Sequence, residues 1–197
     1  MRALRGIIVL ILALALPAPV LAADYQTGLE AYNRGDYATA LKEWRPLAEQ
    51  GDGVAQFNLG TMYNEGRGVA QDYIEAVKWY RLAAEQGDAS AQYNLGALYY
   101  QGQGVPTDYT EAVKWFRLAA EQDHANAQLN LGAMYGNGKG VRRDNVQSHM
   151  WLNLAASRLP SGEDRDMAVS NRDIAEGRMT PAQVAEAERL AREWKPK

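Results

Sequence analysis

The sequence predicts an all-α fold, an α-solenoid of tandem helical hairpins. Three observations carry the prediction: landmarks recurring every 36 residues, an apolar stripe of helical period inside each repeat, and glycines placed where helices should stop. Self-similarity at such a period marks stacked supersecondary units. One helical hairpin cannot bury its own apolar surface, so several must pile into a continuous core.

Four landmarks keep the period. Asn58-Leu59-Gly60 returns as Asn94-Leu95-Gly96 and Asn130-Leu131-Gly132. Gly66-Arg67-Gly68-Val69 returns as Gly102-Gln103-Gly104-Val105 and Gly138-Lys139-Gly140-Val141. Trp79 returns as Trp115 and Trp151, and Leu82-Ala83-Ala84 as Leu118-Ala119-Ala120 and Leu154-Ala155-Ala156. The full units are 51–86, 87–122 and 123–158. Residues 24–50 form a shortened unit: Tyr37 lies 36 residues before Tyr73, but Tyr32 only 31 before Tyr63. The missing residues come from the turn, where Asn33-Arg34-Gly35-Asp36 replaces the longer Gly-x-Gly-Val loop. The solenoid therefore covers 23–158.

Each unit reads as two helices. In the second helix of unit 1, Tyr73, Ala76, Val77, Tyr80, Ala83 and Ala84 fall on one helical face. Asp72 with Glu75, and Asp108 with Glu111, have capping-box spacing. In the first helix of unit 2, Ala91, Leu95, Leu98 and Tyr99 make the buried stripe. Gly96 lets the partner helix approach, and Gly66, Gly102 and Gly138 stand where a left-handed residue ends a helix. Residues 159–197 leave the period and are expected to form a C-terminal helical cap of one or two helices. Ser161 and Thr180 are its expected N-caps, and Thr180-Pro181 with Gln183 fits a capping box.

The first 22 residues are of another kind. Arg2 and Arg5 precede the apolar run Gly6 to Leu16, then Pro17 and Pro19 break it ahead of Val20-Leu21-Ala22. This order reads as a secretory signal peptide, cleaved after Ala22 or Ala23. The run is about half the ~20 residues needed to span a bilayer. The mature chain is expected to be periplasmic or secreted, with no transmembrane segment. The formal net charge of −3 becomes −5 once the two arginines are removed, which argues against nonspecific nucleic-acid binding. The absence of cysteine removes disulfides and a lipid-bearing cysteine alike.

With these residues in view, the chain resembles the Sel1-like repeat family, longer-looped relatives of tetratricopeptide repeats. The resemblance rests on Ala-Gln-x-Asn-Leu-Gly-x-Met/Leu-Tyr at 55–63 and 91–99, the Gly-x-Gly-Val loop, and Asp-Tyr-x-Glu-Ala-Val-Lys-Trp at 72–79 and 108–115. The Met179 to Trp194 tail is similar to the end of many bacterial members. The resemblance implies a non-catalytic protein–protein interaction scaffold or regulator of the cell envelope. Some cysteine-rich members have been proposed to bind or hydrolyse β-lactams, an activity not carried over to a chain lacking their cysteine pairs. A peptidoglycan-binding protein, or a hydrolase of β-lactams or cell wall, is the alternative. Unit 3 departs from the pattern: Asn145, Gln147, Ser148 and His149 replace Tyr, Glu, Ala and Val, making it the least regular layer expected.

A second stripe on the first helices runs Phe57, Thr61, Asn64; Tyr93, Ala97, Tyr100; and Leu129, Ala133, Gly136. In tetratricopeptide-type stacks the matching stripe lines a concave groove. Beside it stand Asn58, Asn94 and Asn130. Apolar anchors with amide donors suit a protein or peptide partner, which needs pockets and backbone hydrogen bonds together; sugar of peptidoglycan is a second candidate. The competing reading is that these side chains pack between units and the asparagines bond within the stack.

No cofactor or metal is expected. Ser148 and His149 are adjacent and point apart on a helix. Glu121 and His124 have metal-motif spacing, but Val146 stands where His149 would need its acid. The Gly-x-Gly loops follow helix C-termini, where the dipole repels phosphate. Lys139, Arg142 and Arg143 gather at the third loop.

Overall fold

The computed structural model describes residues 23–197; the signal segment read at 1–22 lies outside the described residues. Among the described residues the chain is all helix: α1 (Tyr25–Asn33), α2 (Tyr37–Glu49), α3 (Gly53–Glu65), α4 (Tyr73–Glu85), α5 (Ala89–Gln101), α6 (Tyr109–Glu121), α7 (Ala125–Asn137), α8 (Asn145–Arg158), α9 (Glu163–Glu176) and α10 (Pro181–Glu193). The repeats are the hairpins α1/α2, α3/α4, α5/α6 and α7/α8. Each second helix packs on the first helix of the next unit, so the hairpins stack in series.

Local chemistry sets the helix ends. Asp52, Asp72, Asp88, Asp108 and Asp144 each cap a helix by accepting hydrogen bonds from its first-turn N–H groups. The expected boxes at Asp72 and Asp108 do not close. Glu75 and Glu111 pair instead with Lys78 and Lys114, one helical turn on, and Glu111 also accepts from Trp115 Nε1 at 3.2 Å. Thr180 and Gln183 do form a capping box, whereas α9 starts at Gly162 without a side-chain cap and leaves Ser161 outside. Gly66, Gly102 and Gly138 end their helices at φ 69, 71 and 66°.

Two glycines in each repeat set the packing. A Cβ on Gly96 would lie 2.8 Å from Phe116 Cδ1, so α5 and α6 touch at a point only hydrogen can occupy. The second loop glycine, Gly104 (φ 71°), sits against the Tyr73 carbonyl at the start of α4 and locks the loop of one unit to the preceding one.

Units are also joined by polar contacts that the apolar pattern does not reveal. Gln56, Gln92 and Gln128 are buried, and each donates to a carbonyl of the preceding second helix: Ala48 (3.0 Å), Ala84 (3.1 Å) and Ala120 (3.2 Å). Each bond adds a second donor to a helix-end carbonyl that already accepts from the turn following it, and so ties one unit to the next. Gln86 and Gln122 then donate to Gln56 and Gln92 at 2.7 and 2.8 Å. On the flank, Arg45, Arg81 and Arg117 donate to the hydroxyls of Tyr63, Tyr99 and Tyr135 at 2.7, 2.5 and 2.8 Å.

Residues 159–197 supply two helices. α9 packs on α8 and α7. α10 lies on α8, where Leu190, Ala191 and Trp194 join the cluster of Met150, Trp151 and Leu154.

Candidate functional site

The second stripe lies at matching positions of the first helices α3, α5 and α7, and α5 and α7 face one another across it. Helical spacing puts residues i, i+4 and i+7 on one wall because the second helix of each hairpin covers the opposite face. Between α5 and α7 the wall opens into a pocket of about 180 Å³. Tyr93, Ala97 and Tyr100 line one side, Asn130, Ala133 and Asn137 the other, and Phe116 lies beneath. Such a volume is below the roughly 300 Å³ at which small-molecule sites begin and accepts a single side chain.

The predicted residues fall into two groups. Tyr93, Ala97, Asn130 and Ala133 meet at the pocket, with Tyr100 at its rim, 38% exposed. Phe57 and Tyr93 are half-buried and lean on Tyr80 and Phe116, each pair with ring centroids 5.8 Å apart, so both serve the stack as well as the wall. Thr61 is engaged internally: its hydroxyl donates to the Phe57 carbonyl and accepts from Tyr80. Asn58 donates to the Tyr25 hydroxyl at 3.2 Å. Asn64 offers its carbonyl to Gln71, and Asn94 is half-buried on α5.

Leu129 leaves the wall altogether. It is 5% exposed and packs with Leu152, Ala155 and Ala168, because α9 covers the last first-helix from that side. The groove therefore closes at its C-terminal end, and the open wall runs over α3, α5 and the pocket edge of α7.

Two residues that the stripe did not contain shape the pocket. Lys139 comes from the third Gly-x-Gly loop and places its ammonium 4.1 and 4.0 Å from the ring centroids of Tyr100 and Tyr109, with a 3.0 Å hydrogen bond to the Tyr100 hydroxyl. Hydrogen bonding to Tyr100, and after it to Tyr109, holds the Lys139 ammonium above its ordinary pKa, so a positive charge stands at the rim. His124 caps α7, accepting from Ala127 N–H through Nδ1 at 3.2 Å, and its ring stacks on Tyr93 with centroids 4.6 Å apart. Burial pushes the His124 pKa down. Burial also raises the Tyr93 phenol, helped by Asp164 on α9 and opposed by a hydrogen bond with Asn130. Tyr80, deeper in the stack, is pushed up to about 12 by the same cause.

Most of the catalytic and metal candidates make contacts within the stack, and His149 Nδ1 is buried with no hydrogen-bond partner. Ser148 and His149 are buried in α8, His149 Nε2 lying 3.4 Å from Glu176 on α9. Glu121 is held by Lys197 at 2.8 Å, and His124 by its cap. No group of three or more His, Cys, Asp or Glu side chains converges among the described residues. No described helix is long and apolar enough to cross a membrane.

The profile of the Sel1 repeat matches residues 53–88, 89–124 and 125–158, each match beginning two residues after the units drawn from the landmarks. None of the curated proteins matches. Among solved structures, the chain is similar to a Sel1 repeat protein from Oxalobacter formigenes, with 34% identity and a TM-score of 0.69 over 78% of this chain. It is also similar to c5321, a protective antigen present in uropathogenic Escherichia coli strains displaying an SLR fold, with 30% identity and a TM-score of 0.58 over 86% of this chain. The chain spans 59% and 44% of the lengths of those two proteins.

Proposed function

The chain belongs to the Sel1 repeat family, whose repeats are generally protein-interaction scaffolds, and on that premise we propose that it is a non-catalytic scaffold of the bacterial cell envelope that holds a segment of a partner protein against its first-helix wall. The observation that carries the reading is the pocket between α5 and α7, sized for one side chain, with amides beside it and Lys139 at its rim. An anchor side chain entering the pocket loses its water, while Asn130 and Asn137 offer donors and acceptors to the partner backbone. Lys139 favours a segment with a carboxylate next to its anchor. The envelope location rests on the signal-like sequence of residues 1–22.

The test is affinity capture from envelope extract with the wild-type chain and with Ala133→Trp, which fills the pocket from a half-buried position. A partner captured by the wild type and lost from the variant, at equal melting temperature, is the expected result. Capture indifferent to a filled pocket sinks the groove. Turnover of a β-lactam or a peptidoglycan fragment by the purified chain overturns the non-catalytic reading.

A further inference from the structure

The face opposite the first-helix wall carries a second feature that repeats. An open trough of about 850 Å³ lies across α2, α3 and α4, lined by Arg45, Glu49, Tyr63, Lys78, Trp79 and Leu82 among others. The same residue types recur 36 positions on, across α4, α5 and α6, as Arg81, Glu85, Tyr99, Lys114, Trp115 and Leu118. Five of the six recur across α6, α7 and α8 as Arg117, Glu121, Tyr135, Trp151 and Leu154, with Met150 in place of the lysine, and there the trough is filled.

Its occupant is α10. One face of α10 carries Val184, Ala187, Leu190, Ala191 and Trp194, an amphipathic stripe of helical period. Trp194 meets Trp151 edge to face with centroids 6.1 Å apart, and Leu190 and Ala191 pack on the same cluster. At the end of α10, Lys197 donates its backbone N–H to the Glu121 carbonyl and its ammonium to the Glu121 carboxylate. Covering has a measurable effect: Leu154 is 5% exposed, whereas its counterparts Leu82 and Leu118 are each 38% exposed. Glu49 and Glu85, the counterparts of Glu121, are exposed as well.

Three lining positions separate the filled trough from the open ones: Gly51 and Gly87 become Asp123, Glu75 and Glu111 become Gln147, and Lys78 and Lys114 become Met150, the one that bears directly on the tryptophan. Where Met150 leaves Trp151 free for Trp194, Lys78 and Lys114 lie over Trp79 and Trp115 with ammonium groups 5.1 and 5.0 Å from the ring centroids. Their ion pairs with Glu75 and Glu111 are exposed contacts of the kind that contributes little. They cover the tryptophans and can be exchanged for another carboxylate.

We propose that the troughs over α2–α4 and α4–α6 are docking sites for an amphipathic helix of a partner protein, built like α10: a small–Leu–Trp stripe, a basic residue just past its C-terminus for Glu49 or Glu85, and a carboxylate to take Lys78 or Lys114 from its present pair. The site is the helix-in-groove kind. It is separate from the pocket between α5 and α7, so either can fail without the other.

The probe is a fluorescein-labelled peptide of residues 180–197 of this chain, titrated into the full mature protein by anisotropy. Saturable binding is expected, weakened at least tenfold by the double substitution Leu82→Glu/Leu118→Glu and tightened severalfold by Lys78→Met/Lys114→Met, which places the filled trough's residue beside each tryptophan. The substituted leucines are partly exposed, so circular dichroism melts should match the wild type, and Tyr100→Ala in the other wall should leave the titration unchanged. Absence of binding to both the wild type and the lysine-to-methionine protein overturns the proposal. Binding that survives the leucine-to-glutamate change overturns it too, since the peptide is then exchanging with α10 at the trough over α6–α8.

Discussion

Units 2 and 3 share one 36-residue plan and differ in what lies next to them. Unit 2 is followed by another repeat; unit 3 is followed by α9 and α10. Four of the positions at which unit 3 departs from unit 2 bear on those helices. Val113 becomes His149, which reaches Glu176 on α9. Lys114 becomes Met150, which makes room for α10. Gly87 becomes Asp123 and Gln122 becomes Arg158, and these two form an ion pair in place of a glutamine relay, with Arg158 also lying 5.0 Å from the Trp194 ring centroid. Departure from a repeat is thus not decay of the pattern. It is the record of a different neighbour, as terminal repeats need a closing surface.

The comparison is broken most severely at the glycines both units share. Gly96→Ala drives a methyl against Phe116, a ring already backed by Tyr93. Overpacking of this kind costs about 1–3 kcal/mol and outweighs the roughly 1 kcal/mol of helix propensity that Ala adds. Gly132→Ala meets Leu152, fully buried, at 2.7 Å from Cγ and 3.2 Å from the backbone N, and should lose a similar amount. Urea melts of the two variants check this; a neutral Gly132→Ala would mean that the α7/α8 hairpin yields where α5/α6 does not.

Next in size is Met150→Lys, which gives unit 3 the residue of units 1 and 2. The new ammonium should lie over Trp151 as Lys78 and Lys114 lie over their tryptophans, displacing Trp194. A loss of about 1–2 kcal/mol is expected, as for a buried contact exchanged for a charge that reaches solvent. Limited proteolysis should then remove residues near 181–197 while the repeats stay intact. Unchanged protection of α10 would show that Met150 does not choose its seat.

These contrasts also mark what the sequence could and could not reveal. Features repeated at the period were legible: the helix-ending glycines, the aspartate caps and the buried stripe through Leu95 and Leu98 all stand where spacing put them. Tyr93, Ala97, Asn130 and Ala133 meeting at one pocket follows from the same period. Features that depend on a non-repeating neighbour were not. Leu129 looks like Phe57 and Tyr93 in register, and only the docking of α9 turns it into core. Nothing in the spacing marks Gln92 as buried; the neighbouring unit brings the Ala84 carbonyl to it. Lys139 is one of three cations in a loop, and the fold alone sets it between Tyr100 and Tyr109. Glu75 has box spacing, but Lys78 one turn away offers an opposite charge.

The smallest expected effect is the most specific. Asp52 and Asp88 cap α3 and α5 with carboxylates 2.8 and 2.6 Å from their N–H donors, whereas unit 3 uses the imidazole of His124. Nδ1 can accept from Ala127 only while it carries no proton, so protonation removes the cap. Burial, the larger cause, holds the His124 pKa below its ordinary 6.5 in the folded chain, and Asp88 partly opposes it. The unfolded chain therefore takes up the proton first as pH falls. The contribution is complete above about pH 6.5 and is lost as pH falls through the lower folded value. An N-cap is worth typically ~1 kcal/mol, and partial exposure of the ring makes that an upper bound here. His124→Asp restores a cap that stays ionised across this range. The melting temperature of the wild type should fall relative to the variant between pH 7 and pH 5, and taking the difference between the two removes whatever the shared groups contribute. Parallel curves would mean that the stack on Tyr93, and not the cap, is what holds the ring at the start of α7.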